Sequence, residues 1–451
     1  MLSALAGAPT ASAASWSVPS SAAPTIATAL ERAADGDHIR IAPGTYAERL
    51  VLEKSVTLEP QRRAGADPAS PPTVIIDGSG IGRVLSLKSP GATVTGLALR
   101  GSGDDLGKSD ACIYVHEQAT GARLTGNVLT DCAFGIWVNG TAGVIVENNS
   151  IAGRIRPIFS DRGNGINLWR VKGGLIRGNR IADTRDGIYL SVTSESSVEY
   201  NHMRNLRFGV HYMYSDHNRV IGNETRDSLV GLALMFSKRL EIIANRAEGN
   251  RDNGIVFRSI YDSTIRDNRV IGNGKGFFLN DTSFNAISGN WVEGNDIGVH
   301  VTGGSGDNRI TGNSFFRNRV QVHFAWRHSQ HWDGLETGGE GQEADGKASP
   351  RGNYWSDYLG WDMDGDGIGD RPHRTAGTMD RLIFRYPSLK VLATSPVVLL
   401  LQALEARFPV LRPPGVIDRQ PLFRRPSGPP PSPPPGNDSA GVPASGPGGK
   451  A

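Results

Sequence analysis

Aromatic residues are scarce in this chain of 451: Phe, Trp and Tyr make up 7%, whereas Gly alone occurs 57 times. That balance suits a fold of many tight turns and small side chains better than one thick core. Net charge is close to nil, at +3, and no concentrated basic stripe is present, which argues against a dedicated nucleic-acid binder. The apolar run Val397 to Leu404 is well short of the roughly 20 residues needed to span a bilayer. Over most of the chain the turn residues leave no room for a ten-residue helix, and that excludes most helical solenoids. Cysteine is limited to Cys112 and Cys132.

What is present is a ladder. Nine asparagines, Asn127, Asn148, Asn179, Asn201, Asn223, Asn245, Asn268, Asn290 and Asn313, recur at intervals of 21 to 23 residues apart from one step of 31. About eight residues after most of them comes a Gly-apolar pair, such as Gly187-Ile188, Gly209-Val210 and Gly254-Ile255. A fixed period in this range marks stacked repeats that cannot bury their apolar faces singly. Each unit reads as short alternating strands joined by Gly, Asn, Asp and Ser. An Asn at a fixed register can adopt a left-handed turn conformation, and its amide can bond to the Asn above and below. The pattern predicts an all-β solenoid, a right-handed parallel β-helix of about twelve coils and ~55 Å, with an N-terminal cap and a short C-terminal helical extension.

Along the chain, residues 1–14 look like the remnant of a secretory signal, small and apolar with Ala11-Ser12-Ala13 or Ser12-Ala13-Ala14 as cleavage site. No Lys or Arg precedes Arg32, so the positive n-region is missing. Residues 15–35 include a capping helix at Thr25 to Ala34, and 36–325 form the rod. Insertions at 60–72, 101–110 and 153–163 break the period and should project as loops. Residues 326–385 lose the repeat and gain Trp and Asp. Residues 386–425 hold a helix starting at Ser395-Pro396 and an extended segment, and 426–451 form a disordered Pro/Gly/Ser tail. The helix reads equally as a cap on the last coil or as a docking element for a membrane-embedded partner. Export permits a disulfide, but Cys112 falls at a Gly register and Cys132 three residues before the next, so a bridge and two buried thiols both remain open.

Within the coil register, Ile188 and Leu190 face in and Tyr189 and Ser191 face out. Carried through the repeats, this gives an outer column Trp137, Asn167, Tyr189, His211, Ala233, Val256, Phe278, His300 and His323. Its neighbour is Asn139, Trp169, Ser191, Met213, Met235, Arg258, Asn280, Thr302 and Ala325. Neither column contains an acid, and a stripe of aromatics, Met and His reads as a contact surface. His211 and Met213 share one strand face, and Met235 stacks on Met213. Thioethers beside an imidazole suit Cu(I), bound transiently, although partner contact would use the same side chains. His202, Met203 and His217 are near in sequence; His300 and His323 form a second pair, with His328 and His331 beyond.

A different metal chemistry is suggested by Asp362-Met363-Asp364-Gly365-Asp366-Gly367-Ile368-Gly369-Asp370. Asp362, Asp364, Asp366 and Asp370, with the Ile368 carbonyl and Gly at the sharp turn, follow the ligand order of a calcium loop. His373 stands where a bidentate Glu belongs, leaving Asp357 or Asp380 to complete the shell. An Asp-Gly turn holding no ion is the alternative.

The strings Gly352-Asn353-Tyr354-Trp355-Ser356-Asp357-Tyr358, Asp380-Arg381-Leu382, Arg385-Tyr386-Pro387-Ser388 and Phe408-Pro409-Val410-Leu411-Arg412-Pro413-Pro414-Gly415 resemble the NosD family of nitrous oxide reductase maturation proteins. The resemblance runs from Ile39 to about Leu422, while the repeats alone resemble a wider sugar-binding and sugar-hydrolysing β-helix family. It implies a periplasmic protein, membrane-associated through a partner, that helps assemble the copper-sulfur centre of nitrous oxide reductase by binding and hand-over rather than catalysis. The implied partners are an ABC transporter membrane subunit with its ATPase, nitrous oxide reductase and a copper chaperone. It supplies no copper ligand motif and no catalytic residue. The rival reading is a secreted polysaccharide lyase, epimerase or hydrolase, which would need clustered carboxylates; Asp216, Asp262 and Asp281 lie just past successive strands. A surface adhesin or plain rod would explain the repeat but not the C-terminal strings.

Overall fold

Three short strands per repeat, separated by residues that accept left-handed or tightly turned backbone, force the chain round a closed coil and onto the next one. One coil runs Ser197–Glu199, His202–Arg204 and Phe208–Met213, and equivalent strands pair in parallel with those one repeat on. The result, in a computed structural model, is a parallel β-helix whose three faces are sheets of 13, 12 and 13 strands. The structure describes residues 13–61, 71–324, 330–333, 352–375, 386–392, 395–407, 415–424, 426 and 428. The first sheet starts at Ser15–Val18, the second runs from Leu50–Leu52 to Val320–Phe324, and the third from Gly44–Tyr46 to Tyr354–Trp355.

Alternation sends Val198, Met203, Val210 and Tyr212 of that coil inward, and the same positions of all coils merge into one continuous apolar column. Each fully buried aliphatic side chain contributes roughly 1.5–3 kcal/mol. The Gly of each Gly-apolar pair has a steric reason. A Cβ on Gly209 would lie 2.6 Å from the carbonyl oxygen of Gly231 on the next coil.

Polar corners hold the coils in register. Asn245 Nδ2 donates to Asn268 Oδ1 at 3.0 Å and to the Val220 carbonyl at 2.8 Å, while its Oδ1 accepts the backbone N–H of Asn223 at 2.9 Å. This arrangement runs from Asn127 to Asn313 and then on to Asn353. Two expectations need correction. The rung between Asn127 and Asn179 is Asn149, not Asn148, which is exposed. The left-handed residue is also not the rung but the one before it: Asn148 at φ 54°, Gly222 at 63°, Ala244 at 53° and Asp267 at 60°. The rung itself is thereby freed to turn its amide inward. A second amide stack, Asn250, Asn273, Asn295 and Asn318, occupies the next corner, and Asn285, Asn308 and Gln330 the third.

At the N-terminal end the helix Ile26–Arg32 covers the first coil, with Thr25 as N-cap and the Glu48 carboxylate accepting from the amides of Ile26 and Ala27. Cys112 and Cys132 form a disulfide, so the bridge and not the pair of thiols is realised. It closes nearly one full coil, and a loop of that length stabilises by about 3 kcal/mol in the chain-entropy model. A further helix is Pro396–Arg407, and no helix among the described residues is long and apolar enough to cross a membrane. The segments at 62–70, 408–414 and 429–451, with Asp380, Ala325 and His328, lie outside the described residues.

Replacing Asn245 by Ala removes one rung and orphans the buried amide of Asn223 and the carbonyl of Val220. The expected loss is about 3 kcal/mol in urea unfolding, larger than for Asn148→Ala, which keeps the rung and should cost about 1 kcal/mol because Ala is less suited than Asn to the left-handed backbone there. Equal effects would overturn the assignment of the rungs.

Candidate functional site

The outward face of the second sheet carries the side chains singled out above, and strand pairing reproduces the first column from Trp137 to His323. Trp137 pairs with Asn167, Asn167 with Tyr189, Tyr189 with His211, and the series continues through Ala233, Val256, Phe278, His300 and His323. The second column holds from Asn139 to Asn280, whose amide donates to Thr302 at 2.8 Å. Met213 and Met235 are register partners on adjacent strands and both are partly buried. Met235 also packs against Val230, Ala233 and Val256 at the centre of a small apolar patch.

An acid does stand on this face, contrary to the reading of its two columns. Asp186 begins the strand Asp186–Ser191 and is fully buried. A Cβ on Gly187 would point inward, 2.9 Å from Met203 Sδ, and Ile188 is inward too. Two successive inward positions break the alternation, so Asp186 emerges on the same side as Tyr189. Strict parity counted back from Tyr189 misses it; the Gly-apolar pair that recurs in most coils was the available signal.

Asp186 Oδ2 lies 2.9 Å from His211 Nδ1, and Arg207 clasps the carboxylate through Nε at 2.8 Å and Nη2 at 2.6 Å. Burial pushes this carboxyl up, but the hydrogen bonds from His211 and Arg207 outweigh it and hold it below the ordinary carboxylate range. An ionised carboxylate only accepts, so His211 Nδ1 is the donor, and in the neutral imidazole the lone pair is then on Nε2. Nε2 is buried with no hydrogen-bond partner among the described residues. Tyr189 and Phe208 wall the ring at centroid distances of 4.8 and 4.9 Å. A carboxylate fixing one imidazole nitrogen while the other is presented is the arrangement that orients a metal-binding histidine.

Other residues near in sequence are not near in space. Met203 points into the core, His202 sits on the third sheet against Glu224 at 3.3 Å, and His217 meets Arg239 at 3.1 Å. His300 and His323 do meet, edge to face at 4.8 Å. Burial, with the charges of His323 and Lys275, pushes His300 down to about 4, so its ring is neutral near pH 7. His331 lies elsewhere, 3.9 Å from Asp307.

In the Asp loop, ligand oxygens of Asp362, Asp364 and Asp366 can all fall within 4.8 Å of one another. The same carboxylates accept loop amides: Asp362 from Gly365 and Gly367, Asp364 from Asp366, and Asp366 from Ile368. Asp370 accepts from Met363 at 2.8 Å. His373 does not complete the shell, because it is buried and stacked on Trp355 at 4.8 Å, and Asp357 bonds Gln321 at 3.3 Å and lies 3.6 Å from His373.

Beside this loop, Asp418 closes the end of the rod by accepting from Asn353 N and Trp355 Nε1, each at 2.8 Å. Burial pushes its carboxyl up to about 6 despite those bonds. Its folded value therefore lies above the unfolded one. The contribution is fully present below pH ~4 and is lost as pH rises through about 6. His373, pushed down to about 4 by burial, acts in the opposite sense, so wild type must be compared with Asp418→Asn. Relative to wild type the variant should gain about 1 kcal/mol between pH 5 and 7.5 in paired urea titrations. A difference that does not change with pH would remove Asp418 as the titrating group.

A family model described as a periplasmic copper-binding protein (NosD) matches residues 147–360, and one described as a protein of unknown function (DUF1565) matches 15–250. The chain is 44% identical over 412 residues to a probable ABC transporter binding protein NosD of Pseudomonas aeruginosa, covering 88% of this chain and 91% of that protein. A protein of the same description from Stutzerimonas stutzeri is 37% identical, over 90% of this chain and 91% of the relative. Among solved structures, the periplasmic alginate epimerase AlgG aligns with a TM-score of 0.42 at 17% identity, covering 65% of this chain and 72% of that one. The Streptococcus pneumoniae surface protein and adhesin PfbA aligns at 0.48 and 12%, covering 65% and 92%.

Proposed function

The chain belongs to the NosD family, and from that premise we propose that it is a periplasmic copper-binding protein that works with an ABC transporter in assembling the copper-sulfur centre of nitrous oxide reductase. Its work is to bind a soft cation and hand it on, without turnover. The observation that supports this reading is His211, whose Nδ1 is held by Asp186 and whose buried Nε2 has no partner among the described residues, on the sheet face that also carries the register partners Met213 and Met235. One imidazole and two thioethers form a soft donor set suited to Cu(I) as cargo. Three donors leave a coordination position free, and hand-over needs an accessible position where an incoming ligand can attack.

The supposed partners fit the same reading: a copper chaperone as donor, nitrous oxide reductase as acceptor, and the transporter's membrane subunit with its ATPase as the anchor. In support of the anchor, the helix Pro396–Arg407 exposes Val397, Leu399 and Leu400, a surface of apolar side chains suited to docking. The Asp362, Asp364 and Asp366 loop, with the Ile368 carbonyl and Asp370, is a proposed calcium site. It is tested by melting Asp362→Ala/Asp366→Ala with calcium and with chelator. A drop of several degrees relative to wild type is expected with calcium alone; equal drops in both would mean no ion is held.

A second reading has one observation in its favour. A buried Asp hydrogen-bonded to His is also how a general base is oriented, so Asp186 and His211 would serve a β-helix lyase or epimerase. Anaerobic Cu(I) titration against a competing chelator tests the copper reading. The triple variant His211→Ala/Met213→Ala/Met235→Ala should bind Cu(I) at least 100-fold more weakly than wild type. Unchanged affinity together with lost reductase maturation would make the stripe a docking face and end the metal assignment.

A further inference from the structure

Where the chain enters the rod, one carboxylate gathers three segments. Asp37 sits just before the strand His38–Ile41 and is buried, at 6% exposure. Its Oδ2 accepts the Ala34 amide, just past the capping helix Ile26–Arg32, and the Trp16 indole N–H, each at 2.9 Å. Its Oδ1 accepts the backbone N–H of Ala14 at 2.7 Å. Ala14 is held from its other side as well, because its carbonyl accepts the amide of His38 at 2.8 Å. The strand Ser15–Val18 then pairs in parallel with His38–Ile41, starting with Ser15 opposite His38.

These three donors are neutral. They hold the Asp37 carboxyl below the ordinary carboxylate range, Ala34 contributing most, then Trp16 and Ala14, so it is ionised at neutral pH. No side-chain cation forms an ion pair with it among the described residues. His38, next along the chain, bonds Glu59 through Nδ1 at 3.2 Å and is the weakest of the influences on Asp37. An acid this buried is rarely left without a counter-charge. Of its three donors only the Ala14 nitrogen can become a cation without moving, and it does so if the chain begins there.

We propose that the peptide bond between Ala13 and Ala14 is a leader-processing site, and that the new α-ammonium of Ala14 pairs with Asp37 and so ties the first strand, the capping helix and the first coil together after export. Water is the co-reactant: its hydroxyl goes to the Ala13 carbonyl carbon and its hydrogen to the Ala14 nitrogen, which takes up one further proton at neutral pH. The enzyme class is an endopeptidase that reads small residues three and one positions before the cut, here Ala11 and Ala13. A cut after Ala14, reading Ser12 and Ala14, would delete both the donor to Asp37 Oδ1 and the acceptor for the His38 amide. Geometry thus selects between two positions that composition leaves open. Export is required for this step, and the copper donors take no part in it.

The test exports the full chain through its own leader and recovers it from the periplasm. Intact mass and N-terminal sequencing should give Ala14 as the first residue; Ser15, or any residue before Ala14, overturns the proposal. The pairing is read by labelling the N-terminus with an amine-acylating reagent from about pH 7 to about pH 10, since only the unprotonated amine reacts. A neighbouring carboxylate favours the ammonium, so the pH of half-maximal labelling should lie about one unit higher in wild type than in a synthetic peptide of residues 14–18. Asp37→Asn, processed at the same bond, should return to the peptide's midpoint. The comparison with the peptide decides by itself if that variant does not fold. A wild-type midpoint equal to that of the peptide, or one that Asp37→Asn leaves raised, overturns the proposal.

Discussion

Every coil of this protein must return its chain to the same three corners, and the constraint that enforces the return is the buried amide. At the first corner each Asn side chain donates to the rung ahead and to a strand carbonyl and accepts from the backbone and side chain behind, so one residue type satisfies four polar groups inside an apolar rod. Leaving such groups unpaired would cost about 1–3 kcal/mol each, a large part of what a coil's apolar contacts return. The corner therefore dictates the period, and the period dictates which residues share a face. A loop can be inserted between corners, as at 153–163, because the chain rejoins the stack at Asn179 with the next rung intact.

The candidate site follows from that regularity and from one departure. Regular stacking puts Met213 on Met235 and His211 beside Tyr189 without any local motif to announce it. The departure is the paired inward turn at Gly187-Ile188, which swings Asp186 to the outer face and within hydrogen-bonding distance of a histidine one coil away. Arg207 completes the arrangement because the Asp186 position is opposite Phe208, and the residue just before it faces the same carboxylate. A buried acid, a buried imidazole and a guanidinium on a rigid sheet hold their geometry before any ligand arrives, which loops do less well.

How much of this the residues announced depends on the range of the interaction. Period, strand content and the two outer columns were legible because they need only counting, and the rod's fold and family follow from them and from the C-terminal strings. The ladder was misread by one residue at Asn148 because two asparagines are adjacent there, and only the backbone shows that the first takes the left-handed turn and the second the rung. The second ladder, Asn250 to Asn318, has the same period as the first, displaced by five residues, and was available to the same counting. The bridge between Cys112 and Cys132 was open because it joins two positions about one coil apart whose separation depends on coil shape. His373 illustrates the opposite limit: loop spacing marked it only as a departure where a calcium loop has Glu, and its stacking on Trp355 at the rod's end, which takes it into the core, is not legible in that spacing.

On the proposed copper reading, rigidity and exchange make opposing demands on the site, and this face would answer them in different places. The imidazole is fixed from behind by Asp186 and walled by aromatic rings, so its nitrogen loses little freedom on binding. The thioethers differ: Met213 and Met235 are unbranched, partly buried and polarisable, with more rotatable bonds than an imidazole. On that reading the nitrogen is the donor whose position is set before binding, because a buried carboxylate fixes it, and the sulfurs are the donors that adjust, because only apolar contacts hold them.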